Sequence, residues 1–444
     1  MEKYDKEYIQ VSMPLALEGI CFILLTTIEL IMVGKLGTNA IAAVSIFVQP
    51  KMILLCIIRA FATSVTILIA QKIGMGKQKE IKVILQQSLA VAMIGMGILH
   101  LLFYQWLEPI LRFAGAKNNY LADALNYGTI MIFSVFLTSL TTVLQAGFMG
   151  IGETKTVMKI NLMGNFVSVI CNSLFIFGVG PIPRLGIKGA AFGSCIGAIC
   201  ALGKTLSMLR KQTLWEAEQK LSFIPIKIYL KEVGSVFYGI LLEQGSERVG
   251  MVLYSRMAAN LGTIPFAVHS VCMNVCDIYY NFAQGMGKAS MIMIGQAKGK
   301  QDEVLHRSYI KTSQKISLLC SSLACLICIL FRQAILESYF VEQEAVQLGS
   351  MIMLFVGFVS FPEAQAMVYA GALRGCGRTM PVAIYSFISI TVIRPIVTAV
   401  LIYQFDFGLY GAWIPLVLDQ TLRAICATVL VKKEKINCNF LERK

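Results

Sequence analysis

Apolar residues run along this chain in long blocks separated by short polar turns. The blocks match the roughly twenty apolar residues that a helix, rising about 1.5 Å per residue, needs to cross hydrocarbon. Hydropathy predicts twelve such helices, at residues 13–34, 45–71, 84–107, 125–149, 157–180, 187–209, 234–258, 264–294, 315–337, 348–372, 381–403 and 409–431. The second and eighth exceed one perpendicular crossing, so they are expected to tilt or to extend beyond the membrane. Pro50 predicts a bend in the second.

Composition turns this pattern into a class. Of the 444 residues, 57% are hydrophobic and 14% charged, too little charge to cover a soluble protein of this length. The expected fold is an all-α integral membrane protein. A net charge of +14 raises nucleic acid as a partner, but the placement of the bases excludes it. With the N-terminus inside, 26 of the 39 Lys and Arg fall in inner segments, 7 in outer segments and 6 within spans. That asymmetry places both termini in the cytoplasm of a multi-pass cell-membrane protein. The charged Met1–Ser12 leader precedes a helix carrying acids and does not read as a cleaved signal peptide. The thirteen cysteines lie mostly in apolar spans and read as small core residues.

The chain repeats itself. At an offset of 225, Leu36-Gly37-Thr38 returns as Leu261-Gly262-Thr263, and Ala42 and Ser45 return as Ala267 and Ser270. The same offset relates Gln71 to Gln296 and Gly150-Ile151-Gly152 to Gly375-Cys376-Gly377. An offset of 222 relates Gly186 and Gly189-Ala190 to Gly408 and Gly411-Ala412. Two six-helix lobes related by a pseudo-two-fold axis along the membrane normal follow from this order, with a site between them. The expected division is residues 1–209 as N-lobe, 210–233 as cytoplasmic linker and 234–444 as C-lobe. In the linker, Trp215, Leu221, Phe223 and Ile226 interleave with lysines and are expected on the inner leaflet.

Charged groups inside the spans carry the candidate chemistry. Glu18 and Glu29 are eleven residues apart, which returns a helix to nearly the same face. An ionised carboxylate in hydrocarbon costs about 2.5–3.5 kcal/mol by insertion scales, so its default reading is functional. Glu18 reads equally as a member of an inner-gate ion pair. Glu243 lies one turn before Glu247, and two close carboxylates favour retention of a proton. Arg59, Arg248 and Arg394 require counter-charges. At the offset of 222, Arg394 stands where Asn172 stands in the other half, and it is expected to neutralise Glu363 or Glu243. The histidines, His100, His269 and His306, show no metal-ligand spacing, and His269 is expected to serve in packing or gating.

At the repeated motifs the chain resembles the multidrug and toxic compound extrusion (MATE) family of twelve-helix antiporters. The matching text is Glu29 to Gly37 (ELIMVGKLG), Ala42-Ala43-Val44-Ser45, Leu185-Gly186-Ile187-Lys188-Gly189-Ala190-Ala191 and Ala267-Val268-His269-Ser270. It continues in Gly295-Gln296 and Ala370-Gly371-Ala372-Leu373-Arg374-Gly375, and the likeness runs from about residue 8 to 430. The resemblance implies export of amphiphilic, often cationic compounds against incoming H⁺ or Na⁺, with no cofactor. It puts the family's first-helix acid on Glu29, its seventh-helix Glu on Glu247 and its tenth-helix acid on Glu363. A further fifth-helix acid of many relatives is here Asn172, which shifts weight toward the C-lobe pair.

Read from chemistry alone, Glu29 with Asn172 and Asn165, or Glu247 with Glu363, offers either a proton carrier or oxygen ligands for a hard monovalent cation. Small amphiphiles and membrane lipids are the expected partners, and a monomer the expected state. A lipid-linked oligosaccharide flippase of related design is the alternative transporter. A membrane-embedded enzyme needs a nucleophile–base pair or metal ligands at one depth, which three scattered histidines do not supply.

Overall fold

The computed structural model describes residues 3–178, 183–211 and 227–433. Twelve long helical rods follow the predicted spans: α1 (Lys3–Gly34), α2 (Thr38–Gly74), α3 (Gln78–Gln105), α5 (Asn118–Ile151), α6 (Thr154–Phe177), α7 (Ile187–Arg210), α8 (Lys227–Ala259), α9 (Thr263–Gly299), α10 (Glu303–Glu337), α11 (Gln343–Gly375), the rod Thr379–Gln404, and α14 (Tyr410–Lys433). A short α4 (Leu107–Phe113), unforeseen from hydropathy, follows α3. Among the described residues, ten of the rods are long and apolar enough to cross a membrane. The other two, α8 and α9, are more polar because they carry acids and bases described below. The overlong spans become α2 and α9, each of 37 residues, or about 55 Å of helix. The linker residues expected on the inner leaflet, Trp215 to Ile226, lie outside the described residues.

The rod Thr379–Gln404 is not a uniform α-helix. After α12 (Thr379–Ser386) it widens into a π-helical stretch at Phe387–Ile393, resumes as α13 (Arg394–Ala399) and widens again at Val400–Gln404. Pro395 sits at the start of α13. It has no N–H to donate and would clash with the carbonyl one turn back, and a locally widened turn absorbs both defects.

The chain forms two compact units, one of Glu18–Gly234 and one of Met1–Leu17 with Ser235–Lys444. Helix α1 begins at Lys3, ten residues before the predicted span, because its leader is packed. Tyr8 donates to the Met286 carbonyl at 2.8 Å, Tyr309 donates to Glu7 at 2.8 Å, and Lys315 meets Asp5 at 3.0 Å.

The internal repeat has a backbone cause. Gly37 and Gly262, equivalent at 225, precede α2 and α9 at φ 110° and 105°, a conformation that side chains resist.

Packing in the unit of Glu18–Gly234 centres on α2 and α5, with Phe47, Leu54, Leu111 and Ala124 buried. In the other unit, α9 and α11 meet backbone to backbone. A Cβ on Gly371 would lie 2.1 Å from the Gly287 carbonyl oxygen, and one on Gly375 2.4 Å from that of Met291. Small residues let membrane helices approach this closely, which explains why Gly371 and Gly375 fall in a recognisable motif. Gly371→Ala is expected to destabilise the protein by about 1–3 kcal/mol through overpacking. Thermal unfolding followed with a thiol-reactive dye checks this, because Cys272, Cys276 and Cys328 lie in this core. An unchanged midpoint would refute the seam.

Candidate functional site

In the unit of Glu18–Gly234, a carboxylate on α1 meets neutral donors on α6. Glu29 Oε1 accepts from Ser168 Oγ and Asn172 Nδ2, both at 3.0 Å. Ser168 and Asn172 are buried and one turn apart, so α6 presents both to one oxygen. Asn172 is fixed in turn by α7, where the glycine at 193 leaves room for it: a Cβ there would lie 2.1 Å from Asn172 Oδ1. No cation comes within ion-pair distance of Glu29 among the described residues, and Lys51 on α2 acts on it from farther away. The expected Asn165 is half-buried but makes no hydrogen bond to Glu29; Ser168, one turn along, holds that position.

Glu18, about three turns earlier on α1, belongs to a separate chain of amides. Gln145 donates to Asn161 at 2.7 Å, and Asn161 donates to Glu18 at 2.7 Å. Among the described residues its hydrogen-bond partner is thus an amide.

The unit containing α8–α14 buries more charge and pairs more of it. Glu243 takes both arms of Arg374, at 2.5 and 3.1 Å. Arg394 pairs with Asp419, which is completely buried. This corrects the expectation that Arg394 neutralises Glu363 or Glu243. It also removes Glu243 as an unpaired neighbour of Glu247, since a bidentate guanidinium satisfies its charge. Glu247 instead accepts from Tyr280 on α9 at 2.8 Å. Glu363, one residue past Pro362 in α11, is 3% exposed, and its Oε2 has no hydrogen-bond partner among the described residues. Charges acting on it come from Arg423, Asp277, Arg394 and Glu247.

Sequence reasoning missed Asp419, Asp277, Tyr280 and the membrane-side role of Arg374. For Asp419 a signal existed: it precedes Arg423 by four residues in an apolar helix, so the two share a face. Arg374 reads as a loop residue from hydropathy, but its side chain is only 19% exposed. His269 packs among the rings of Tyr254, Phe266 and Trp413, at 5.3, 6.3 and 5.9 Å. No metal-binding group of His, Cys, Asp or Glu occurs among the described residues.

Among the described residues, ten helices long and apolar enough to cross a membrane, with carboxylates along several of the long helices, mark a polytopic membrane protein. The chain belongs to the MatE family, whose model matches residues 14–174 and 223–400. It is 24% identical over 420 residues to "Probable multidrug resistance protein NorM" of Thermotoga maritima, covering 94% of this chain and 90% of that one. It is 23% identical over 389 residues to "Multidrug resistance protein NorM" of Vibrio cholerae, covering 84% and 83%. The fold matches a crystal structure of a mutant of the Vibrio cholerae MATE transporter VcmN, with a TM-score of 0.90, 17% identity and 98% of each chain covered. It matches a MATE structure in the straight conformation with a TM-score of 0.89, 18% identity and 97% and 96% covered. The two six-helix lobes expected from the repeat are the architecture of this family, and the protein is a transporter rather than an enzyme.

Proposed function

We propose that this protein is a secondary active exporter of amphiphilic, often cationic compounds, driven by inward H⁺ or Na⁺ through alternating access in the cell membrane, with both termini cytoplasmic. One observation carries the reading: Glu29, on a membrane helix, is bound among the described residues by neutral donors only, at 3.0 Å each. A carboxylate clamped by arginine keeps its charge satisfied, whereas one held by a hydroxyl and an amide is left to take up and release an external cation. Glu247 and Glu363, neither of them in an ion pair among the described residues, offer a second acidic region.

An apolar cleft of about 450 Å³ opens between α8 and the first π-helical stretch, lined by Tyr238, Leu242, Gly245, Val249, Phe387 and Thr391. Its apolar lining suits the hydrophobic body of an amphiphile, while Glu243 and Glu247 lie on the other face of α8. Multidrug resistance in the names of the relatives agrees with such substrates.

Efflux of a lipophilic cationic dye from energised cells, with the proton and sodium gradients collapsed separately, tests the coupling. Export is expected to stop when one gradient is removed and to persist without the other. Export that survives loss of both would overturn ion-driven transport.

A further inference from the structure

Two halves built on one repeat offer two equivalent polar positions, and at one of them the chemistry is permuted. At the repeat offsets, 225 in the first helix of each half and 222 in the last two, Glu29, Asn172 and Gly197 correspond to Tyr254, Arg394 and Asp419. In the N-terminal half the amide of Asn172 reaches the carboxylate of Glu29. In the C-terminal half Arg394 lies 5.5 Å from the ring of Tyr254 and sets Nη1 3.3 Å from Met251 Sδ, one turn earlier on α8. The carboxylate has moved to α14, where Asp419 receives Arg394 Nη2. The N-terminal half cannot place an acid there, since a Cβ on Gly197 would lie 2.6 Å from the Gly164 carbonyl oxygen.

Asp419 is 0% and Arg394 3% exposed. Among the described residues Asp419 Oδ1 and Arg394 Nε have no hydrogen-bond partner, so the pair leaves a buried carboxylate oxygen unfilled. A guanidinium that matched its acid as a permanent structural fork would satisfy both oxygens, as Arg374 does for Glu243. Here a single arm reaches Asp419, and the face of the Tyr254 ring, 5.5 Å away, supports the guanidinium from another side.

The geometry points to Arg394 as a tethered cation that fills, at Asp419, a monovalent-cation or proton site of the kind that Glu29 leaves open. One half of the repeat exchanges its ion with solution; the other carries its ion covalently. Removing the guanidinium therefore creates a cation site where the native protein binds none.

The neighbours of Asp419 decide how such a site behaves. Arg423 on α14 acts on Asp419, Glu247 and Glu243 together. From α8 comes the phenol of Tyr254, and from the first π-helical stretch Ser389, which donates to the Asp419 backbone carbonyl at 3.2 Å. Glu363 on α11 and Cys276 on α9 feel the charge of Arg394, and Tyr385 on α12 that of Glu243, Arg423 and Arg374. With Arg394 gone, the shared Arg423 cannot replace a direct partner, and Asp419 must take a proton or a metal cation.

Thermal unfolding of the purified full-length protein in detergent reads this without reference to transport. Parent, Arg394→Asn, Arg394→Asn/Asp419→Asn and Asp419→Asn proteins are compared at one ionic strength in choline chloride at pH 8, in sodium chloride at pH 8, and in choline chloride at pH 5. In choline at pH 8, Arg394→Asn is expected to melt on the order of 5 °C below the parent, and the double variant to recover most of that loss. Sodium or acid should raise the midpoint of Arg394→Asn selectively, leaving Asp419→Asn and the double variant unmoved relative to the parent. A midpoint for Arg394→Asn that ignores both sodium and acid, or a double variant no more stable than the single one, overturns the inference. If Arg394→Asn does not fold, Arg394→Lys decides: its ammonium should fold and melt close to the parent, and failure to do so is equally fatal.

Discussion

Glu29→Gln is expected to reduce ion-driven dye export at least about tenfold while leaving the protein folded and present at parental level. The substitution keeps the shape of the side chain and a carbonyl oxygen for Ser168 and Asn172, both at 3.0 Å from the native carboxylate. What disappears is the negative charge, and with it the ability to take up a cation. Hydrogen bonds to a charged group contribute about 1.5–3 kcal/mol, so a decade or more of rate is the scale to expect. Accumulation of a fluorescent lipophilic cation in energised cells, with membrane protein quantified in parallel, makes the measurement. Ser168→Ala should act in the same direction but less, since Asn172 still donates. Export by Glu29→Gln at the parental rate would move coupling to the acids of the other unit, Glu247 and Glu363, and leave Glu29 a packing residue.

The largest effect on stability is expected from Arg374→Ala. Glu243 has a side chain 5% exposed, and the bidentate guanidinium is its counter-charge. Deleting one partner of a buried pair costs about 3–5 kcal/mol because the remaining charge is stranded, whereas replacing both is much cheaper. The melting temperature of Arg374→Ala should therefore drop clearly, and Arg374→Gln/Glu243→Gln should regain most of it. Glu108→Gln is the control. Its ion pair with Arg112 is half exposed on both sides, so its loss should change stability by about 0–1 kcal/mol. Equal midpoints for Arg374→Ala and Glu108→Gln would show that the Glu243 pair contributes no more than a surface pair.

Much of the architecture was legible because oil and water sort residues over stretches of twenty, a signal that survives without any partner helix. The rods Thr154–Phe177 and Tyr410–Lys433 lie where hydropathy put them. The repeat was legible because tight turns need glycine, and Gly37 and Gly262 share a left-handed φ. The contact between Glu29 and Asn172 was legible because both are polar residues in apolar helices, at positions the family resemblance singles out. Charge pairing was not. Arg394 chooses Asp419 on α14 over Glu363 on α11 by the three-dimensional packing of helices, which one sequence does not encode as spacing. The π-helical widening near Pro395 was hidden for a similar reason, as hydropathy records length and greasiness but not the winding of a helix. Ser168 escaped notice because a serine in a membrane helix usually bonds to its own backbone, as Thr205 does here.

The glycine contacts between α9 and α11 also limit how the acids of that unit can change company. With Gly371 and Gly375 set against the carbonyls of Gly287 and Met291, neither helix slides along the other without steric collision. Tyr280 and Asp277 on α9 and Glu363 on α11 must then travel as one stiff blade. A new neighbour for Glu363 has to be delivered by α8 or α14, so a crosslink pinning α9 to α11 should leave turnover intact while one pinning α8 to α11 should arrest it.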